Sequence, residues 1–315
     1  MLQPLDATHA VHIASIWNTA CGPEFAITPH FAEYNLRPAP GAILDGRLAV
    51  RDGQPVGFVV ASFLLSDPAT MPPEIGWIDS LAVLPAFQRQ GIGTELLAWA
   101  EAWLAQQHCT RVILGGSLHP WTPGVPVELG NVTFFHKHNY QQRGLAWDMA
   151  LDLGKYEISN VKYQKSNVVA RPAKVGDEAA VLEFLRREFP GRWRYEYLEF
   201  LGDHGRLSDY VLLLTERGVD GCCRVTFEDS ERPLDRYYLH RLPRPWGQLG
   251  SIGVSADCRG KGYGGALLDA GLRHLRDQGV RGCVIDWTTL VDFYGKFGFK
   301  PYHQFAMLFK TMKGE

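Results

Sequence analysis

A chain of 315 residues with 46% hydrophobic and 12% aromatic side chains has material for more than one core, and the usual domain length of roughly 100 to 200 residues divides it in two. A formal net charge of −2 gives no general attraction to a polyanion, so neither nucleic acid nor an anionic membrane is an expected partner. Met1 to Ala10 carries no basic run followed by an apolar stretch, and nowhere do about 18 apolar residues run together, so a soluble, cytoplasmic protein is expected.

The elements follow in chain order. Thr8 to Trp17 reads as an amphipathic helix, with Thr8 as N-cap and Ala10, Ile13, Ala14 and Trp17 on one face. Asp52-Gly53 then separates two strand runs, Leu48–Val50 and Val56–Leu65, as a hairpin turn does. A short apolar strand, Ser80-Leu81-Ala82-Val83, leads to the turn Gln88-Arg89-Gln90-Gly91-Ile92-Gly93. Out of it runs a helix whose apolar positions, Leu96, Leu97, Ala100, Trp103 and Leu104, keep the i, i+3, i+4 spacing. After a β-rich run, Arg111–Leu114, comes an insertion, Gly115 to Gly130, containing Trp121-Thr122-Pro123-Gly124-Val125-Pro126. Its proline and glycine density forbids regular structure, and such loops shape pockets or seams. Phe134-Phe135-His136-Lys137 starts another helix, and a terminal strand lies near Trp147 to Leu153.

The polar stretch Gly154 to Asn167 marks a boundary, giving domains 1–154 and 169–315 with a linker at 155–168. Beyond it the same order returns. Asp177 to Leu185 is a helix capped by Asp177, with Val181, Phe184 and Leu185 inward; Val211–Thr215 and Cys222–Phe227 flank the turn Gly218–Gly221. Ser251-Ile252-Gly253-Val254 leads to Arg259-Gly260-Lys261-Gly262-Tyr263-Gly264, then to a helix with Leu267, Leu268, Gly271, Leu272 and Leu275 on one face. Cys283–Trp287 and Phe293-Tyr294-Gly295-Lys296 close the repeat. The six cysteines, at 21, 109, 222, 223, 258 and 283, form no Cys-x-x-Cys pair and no Cys/His cluster at zinc spacing, so reduced thiols and no metal are expected.

A strand that ends in a glycine turn and opens a helix presents unpaired N–H groups at the positive end of the helix dipole, which suits a phosphate. Gly91, Gly93, Gly262 and Gly264 lack the Cβ that would hold a phosphate off the backbone, and Arg89, Arg259 and Lys261 add charge. Neither copy has the glycine spacing and downstream acid of a dinucleotide fold, nor the Gly-Lys-Ser/Thr of a P-loop. Taken with Phe-Tyr-x-Lys-x-Gly-Phe at 293–299, the pattern resembles the GNAT superfamily of N-acetyltransferases, twice in tandem. The resemblance implies an α/β (α+β) fold in which each domain is a mixed, mainly antiparallel twisted sheet flanked by helices. It also implies acetyl-CoA, held by Leu81, Ala82, Val83, Gln88, Arg89, Gln90, Gly91, Ile92 and Gly93 in the first half. In the second the equivalents are Ile252, Gly253, Val254, Arg259, Gly260, Lys261, Gly262, Tyr263 and Gly264, with Gly265 adding an N–H.

Acetyl transfer needs a neutral amine and an acid for the departing thiolate. The resemblance places Tyr294 in the acid's role; the first half has Phe135 there, which has no proton to give. Asp79 occupies the place of a carboxylate base that some members keep, where the second half has Gly250; His136 and His138 read as solvated side chains. Candidate bases for the second half are Glu228, Asp286 and Asp292, of which Asp286, at the end of its strand, is preferred. The stretch Phe189-Pro190-Gly191-Arg192-Trp193-Arg194-Tyr195-Glu196-Tyr197 lies where an acceptor loop belongs, and Trp193, Tyr195, Trp246 and Trp287 are expected to wall a site for a small-molecule amine. Phe-Pro-Gly-x-Trp and the insertion also resemble the tandem glucosamine and glucosaminide N-acetyltransferases, which implies an amino sugar. The open alternatives are an aminoglycoside, the amine of a thiol precursor as in tandem mycothiol synthases, a protein amine, or a half that binds acyl-CoA without turnover.

Overall fold

The computed structural model describes residues 1–156, 168–237 and 240–312. Its elements are β1 (Leu2–Pro4), α1 (Ala10–Cys21), α2 (Pro29–Leu36), β2 (Ala42–Arg51), β3 (Gln54–Leu64), β4 (Ile75–Val83), α3 (Ile92–Gln106), β5 (Arg111–Leu114), β6 (Val125–Pro126), α4 (Val132–Lys137) and β7 (Gln141–Asp152). There follow β8 (Val169–Pro172), α5 (Glu178–Glu188), α6 (Arg192–Gly202), β9 (Tyr210–Thr215), β10 (Gly218–Phe227), β11 (Trp246–Val254), α7 (Tyr263–Asp277), β12 (Gly282–Thr288), α8 (Val291–Gly295) and β13 (Lys300–Thr311).

Two compact units result: Met1–Trp147 with His303–Glu315, and Asp148–Tyr302. In the first unit the strand order is β1-β2-β3-β4-β5-β13, antiparallel except for the parallel pair β4/β5. In the second it is β8-β9-β10-β11-β12, again antiparallel but for β11/β12, with β7 next to β12. The units are therefore cut at 147/148 and 302/303, not at the polar stretch. Of the expected linker, residues 157–167 lie outside the described residues. The reason is long-range: Phe309, Lys310 and Thr311 pair with Ile113, Val112 and Arg111, a ladder that no local sequence signal announces.

Local chemistry explains the elements. Asp52 and Gly53 take φ of 49° and 76°, the left-handed pair that a two-residue hairpin demands. Asp6, rather than Thr8, caps the entry to α1, accepting the Thr8 N–H at 2.9 Å. Asp177 precedes α5 but spends its carboxylate on Arg171 and the Lys174 N–H instead of a cap. Helices α3 and α7 are each 15 residues long and bury one face, Leu96, Leu97 and Leu104 in the first and Leu267, Leu268, Leu272 and Leu275 in the second. Each such side chain contributes roughly 1.5–3 kcal/mol of transfer energy.

Two expectations are corrected. The proline-rich insertion contains regular structure, since Val125 and Pro126 of β6 pair with Ala306 and Phe305 of β13. It is also core: Trp121 is wholly buried, its ring 5.5 Å from Trp17, 5.4 Å from Phe31 and 5.7 Å from Phe58. Turn residues permit a chain reversal here, and the buried indole then anchors it. The stretch after α5, expected as a loop, is helical from Arg192 to Gly202. Among the described residues no helix is long and apolar enough to cross a membrane.

Candidate active site

The two glycine turns have one geometry. Arg89 and Gly91 have φ of 62° and 84°, and their counterparts Gly260 and Gly262 have 74° and 84°. Gly91 and Gly262 are the N-caps of α3 and α7. A Cβ at Gly91, Gly260 or Gly262 would meet nothing within 4 Å, so the backbone at both turns faces open space. Open N–H groups at the first turn of a long helix form an anion cradle, and the residues present fit a pyrophosphate.

Beside each turn the central strands part. In the second unit Trp246, Gly247 and Gln248 of β11 pair with Gly282, Cys283 and Val284 of β12, and the ladder ends there. A bulge between Cys222 and Arg224, with Ser251 at φ 47°, bends β11 away. The opening is a cavity of about 400 Å³. Arg192, Trp193 and Glu196 of α6 line it together with Arg224 and Thr226 of β10, Gln248 and Ile252 of β11, Asp286 and Trp287 of β12, Tyr294 of α8, and Arg232.

Polar side chains converge inside. Gln248 Nε2 donates to Asp286 Oδ1 at 2.9 Å, and Gln248 Oε1 accepts from Thr226 Oγ1 at 3.0 Å. Gly250 makes this chain possible, because a Cβ there would stand 2.2 Å from Gln248 Nε2 and 3.3 Å from Asp286 Oδ1. Tyr294 is buried, and burial together with the Asp286 charge pushes its hydroxyl well above the usual phenol range, against a hydrogen bond with Thr288. The tyrosine therefore keeps its proton throughout the neutral range. Burial by itself would raise the Glu196 carboxyl, yet Arg192, Arg232 and Arg224 outweigh it and draw it down to about 2. Arg192 Nε donates to Glu196 Oε1 at 2.8 Å, and its guanidinium lies 4.8 Å from the Trp287 ring centroid.

The expected residues divide accordingly. Tyr294, Asp286, Trp193, Trp287 and Ile252 are brought together. Tyr195 is buried and is not among the lining residues. Trp246 lies at the start of β11, outside the cavity, its indole N–H bound to the Leu242 carbonyl at 3.0 Å and Arg244 4.5 Å from its ring centroid. Glu228 is paired with Arg244 and the Trp246 N–H, and Asp292 is exposed on α8. Gly253 is a packing glycine, since a Cβ would stand 2.4 Å from Phe189 and 2.7 Å from Trp193. Lys261 and Tyr263 line a shallow depression beside Arg217, Asp220 and Asp257. Sequence reasoning missed Gln248, Thr226, Arg224 and Arg232, and it named Glu196 only as part of the acceptor stretch. A signal existed for Gln248: the repeat places it opposite Trp77, an indole exchanged for an amide inside a duplicated strand.

The first unit keeps the turn and loses the polar chain. Its groove of about 590 Å³ is lined by Leu81, Ala82, Val83, Gln88, Arg89, Gly91, Gly93, Phe134, Phe135 and His138. Gln88 Nε2 donates to the Val83 carbonyl at 3.0 Å, tying the turn to its strand. By register Trp77 and Ile113 match Gln248 and Val284, so Gly115 stands where Asp286 does. Asp79 is buried beside a small cavity of about 10 Å³, away from the groove, where Ser62 Oγ donates to it at 3.1 Å. Burial pushes its carboxyl to about 7, against the hydrogen bonds of Ser117 and Ser62. His136 is held on the Tyr140 carbonyl and His138 near Thr94.

Strands that part beside a glycine-turn helix are built twice, and a tyrosine and a carboxylate share the opening only in the second of the two cavities described. The acetyltransferase (GNAT) family profile matches residues 11–119 and 179–299, and the chain belongs to that family, in tandem form. A mycothiol acetyltransferase of Nocardia farcinica is 38% identical over 233 residues, covering 70% of each chain. A second, of Actinosynnema mirum, is 25% identical over 293 residues, covering 88% of this chain and 87% of its own. Among solved structures, the glucosamine N-acetyltransferase region of a fungal multi-domain GH3 β-N-acetylglucosaminidase superposes with a TM-score of 0.88 at 22% identity. It covers 98% of this chain, which spans 38% of that protein's length. A tandem GNAT protein from the clavulanic acid biosynthesis pathway superposes with a TM-score of 0.71 at 16% identity, covering 100% of this chain and 99% of its own. At these identities the superpositions speak for the fold.

Proposed function

We propose that the second unit transfers an acetyl group from acetyl-CoA to the primary amine of a small molecule, an amino sugar being the class that fits best. The observation that carries this reading is the placement of Asp286 and Tyr294 in one cavity where β11 and β12 part. Acetyl-CoA supplies the thioester; the open backbone at Gly260 and Gly262, with Arg259 and Lys261, would hold its pyrophosphate, and Ile252 and Val254 would flank its arm. Asp286, fixed by Gln248, takes a proton from the acceptor's ammonium group, and the amine forms the new C–N bond. As the C–S bond breaks, Tyr294 gives its proton to the thiolate, and the second proton leaving the nitrogen restores the tyrosine, which yields the amide and free CoA thiol. Trp193 and Trp287 offer faces for a ring, and Arg192 and Glu196 are donors and acceptors for hydroxyls. Relatives named for mycothiol acetylation and a fold neighbour named for glucosamine N-acetylation support a small-molecule acceptor.

For the first unit a second reading is favoured by Phe135: it binds CoA at Arg89 to Gly93 without transferring from it. Thiol release from acetyl-CoA, measured over glucosamine and its short oligomers, aminoglycosides, polyamines and peptides, tests both. Release on an amino sugar that disappears in Asp286→Asn supports the second-unit site. Release unchanged in that variant removes it. Saturation calorimetry with CoA then counts the sites: two per chain supports the reading of the first unit, and one sinks it.

A further inference from the structure

The charges lining the second-unit cavity do not cancel. Three arginines, Arg192, Arg224 and Arg232, face two carboxylates, Glu196 and Asp286. Two of the arginines are satisfied within the protein: Arg192 on Glu196, and Arg232 on Glu196 at 3.7 Å and on Glu199 at 3.3 Å. Arg224 is different. Its buried Nε has no hydrogen-bond partner, and among the described residues its guanidinium forms no ion pair. The ring of Phe200 lies 5.0 Å away, and the carboxylates of Glu196 and Asp209 feel its charge without a hydrogen bond or ion pair to it. A guanidinium carries five donors in a rigid fork shaped for carboxylate or phosphate, and a buried N–H left unmatched is costly. Its place is informative too. Arg224 pairs across the sheet with Gly250, and Thr226, two residues along the same strand, starts the chain of hydrogen bonds to Asp286. The equivalent part of β3 in the first unit is Val59, Val60 and Ala61, fully buried and apolar.

We infer that the acceptor carries an anionic group, a carboxylate or a phosphate, which Arg224 binds while its amine lies at Asp286 and Tyr294. The inference rests on the transferase reading of the second unit and narrows its substrate to amines that carry both charges. Glu196 feels the Arg224 charge but makes its contacts with Arg192 and Arg232, which leaves the Arg224 fork to an incoming anion.

The test uses three sugars that differ at one substituent: glucosamine, glucosamine 6-phosphate and muramic acid. Thiol release from acetyl-CoA by the full chain should give kcat/KM about 10-fold or more higher for at least one anionic sugar than for glucosamine, and whichever it is identifies phosphate or carboxylate. Arg224→Gln should bring that ratio below about 3-fold, and Arg224→Lys, which keeps the charge and loses the fork, should fall between. Equal kcat/KM for glucosamine and both anionic sugars overturns the inference without any variant, as does a ratio that survives Arg224→Gln. Calorimetric binding of the two anionic sugars in the absence of acetyl donor separates the two readings. Binding that Arg224→Gln weakens about 10-fold or more, with no thiol released from any amine, upholds the anion site and refutes transfer. No binding and no turnover with either anionic sugar refutes the anion site.

Discussion

The two units share a fold and a glycine turn, to within a few degrees of φ at Gly91 and Gly262, and differ in what stands where the central strands part. In the second, Thr226, Gln248 and Asp286 form a hydrogen-bonded line into an open cavity that also holds Tyr294. In the first, the matching places hold Ser62, Trp77, Gly115 and Phe135. A duplicated scaffold thus keeps its anion cradle at low cost, because the cradle is backbone. In the proposed mechanism the chemistry depends on a few side chains, of which Gln248, Asp286 and Tyr294 have no like counterpart in the first unit, where Ser62 alone keeps the hydroxyl of Thr226.

The sharpest way to break this contrast is to move the acid. Tyr294→Phe should lower the rate of thiol release on an accepted amine by about 100- to 10,000-fold while CoA affinity, read by calorimetry, stays within about 3-fold. Phe135→Tyr should restore nothing, since the first unit has Gly115 in place of the base; turnover surviving in the double variant would abolish the asymmetry.

Next in size is Glu196→Gln, which leaves Arg192 and Arg232 without their shared buried partner. Loss of one member of such a network costs about 3–5 kcal/mol, and urea denaturation should show it in the second unit. In the wild type the Glu196 contribution is present at neutral pH, since the folded carboxyl at about 2 lies below its ordinary value of 4.5, and it is lost as pH falls from 4.5 through 2.

Asp79 in the first unit has the opposite sign. Its carboxyl is raised from 3.8 to about 7, so between those values the folded chain holds a proton that the unfolded chain has released, and stability falls as pH rises. Asp79→Asn removes that penalty, and the chain should gain up to roughly 4 kcal/mol above pH 7, about 1.4 kcal/mol for each unit of raised pKa, with little change near pH 4. A flat difference between pH 4 and 8 would refute the assignment.

The smallest effect is expected at Gly250. Gly250→Ala puts a methyl on Gln248 Nε2, displaces it from Asp286 and should slow turnover about 10-fold, shifting the acid limb of the kcat–pH profile without altering CoA affinity.

Much of this was legible in the chain. The two glycine turns, the helices behind them, the Asp-Gly hairpin and the Tyr294/Phe135 difference all depend on local patterns that repeat at one spacing. Asp286 was legible as the end of a strand. The rest was not, because it depends on neighbours that sequence does not place side by side. Arg224, Arg232 and Glu196 come from β10, the segment after it and α6, and only the bulge at Ser251 opens the space they share. Trp246 shows the reverse error: an aromatic near the right strand, turned to Leu242 and Arg244 instead.

The membership of β13 in the first unit also bears on how the protein is made. A ribosome delivers residues 1 to 147 first, yet β5 has no antiparallel neighbour until Phe309, Lys310 and Thr311 emerge. The unit made earlier is thus the one that must wait for residues 309–311, with an open sheet edge exposed meanwhile. A nascent chain halted after the second glycine turn would carry a cradle in each half and a finished sheet in neither.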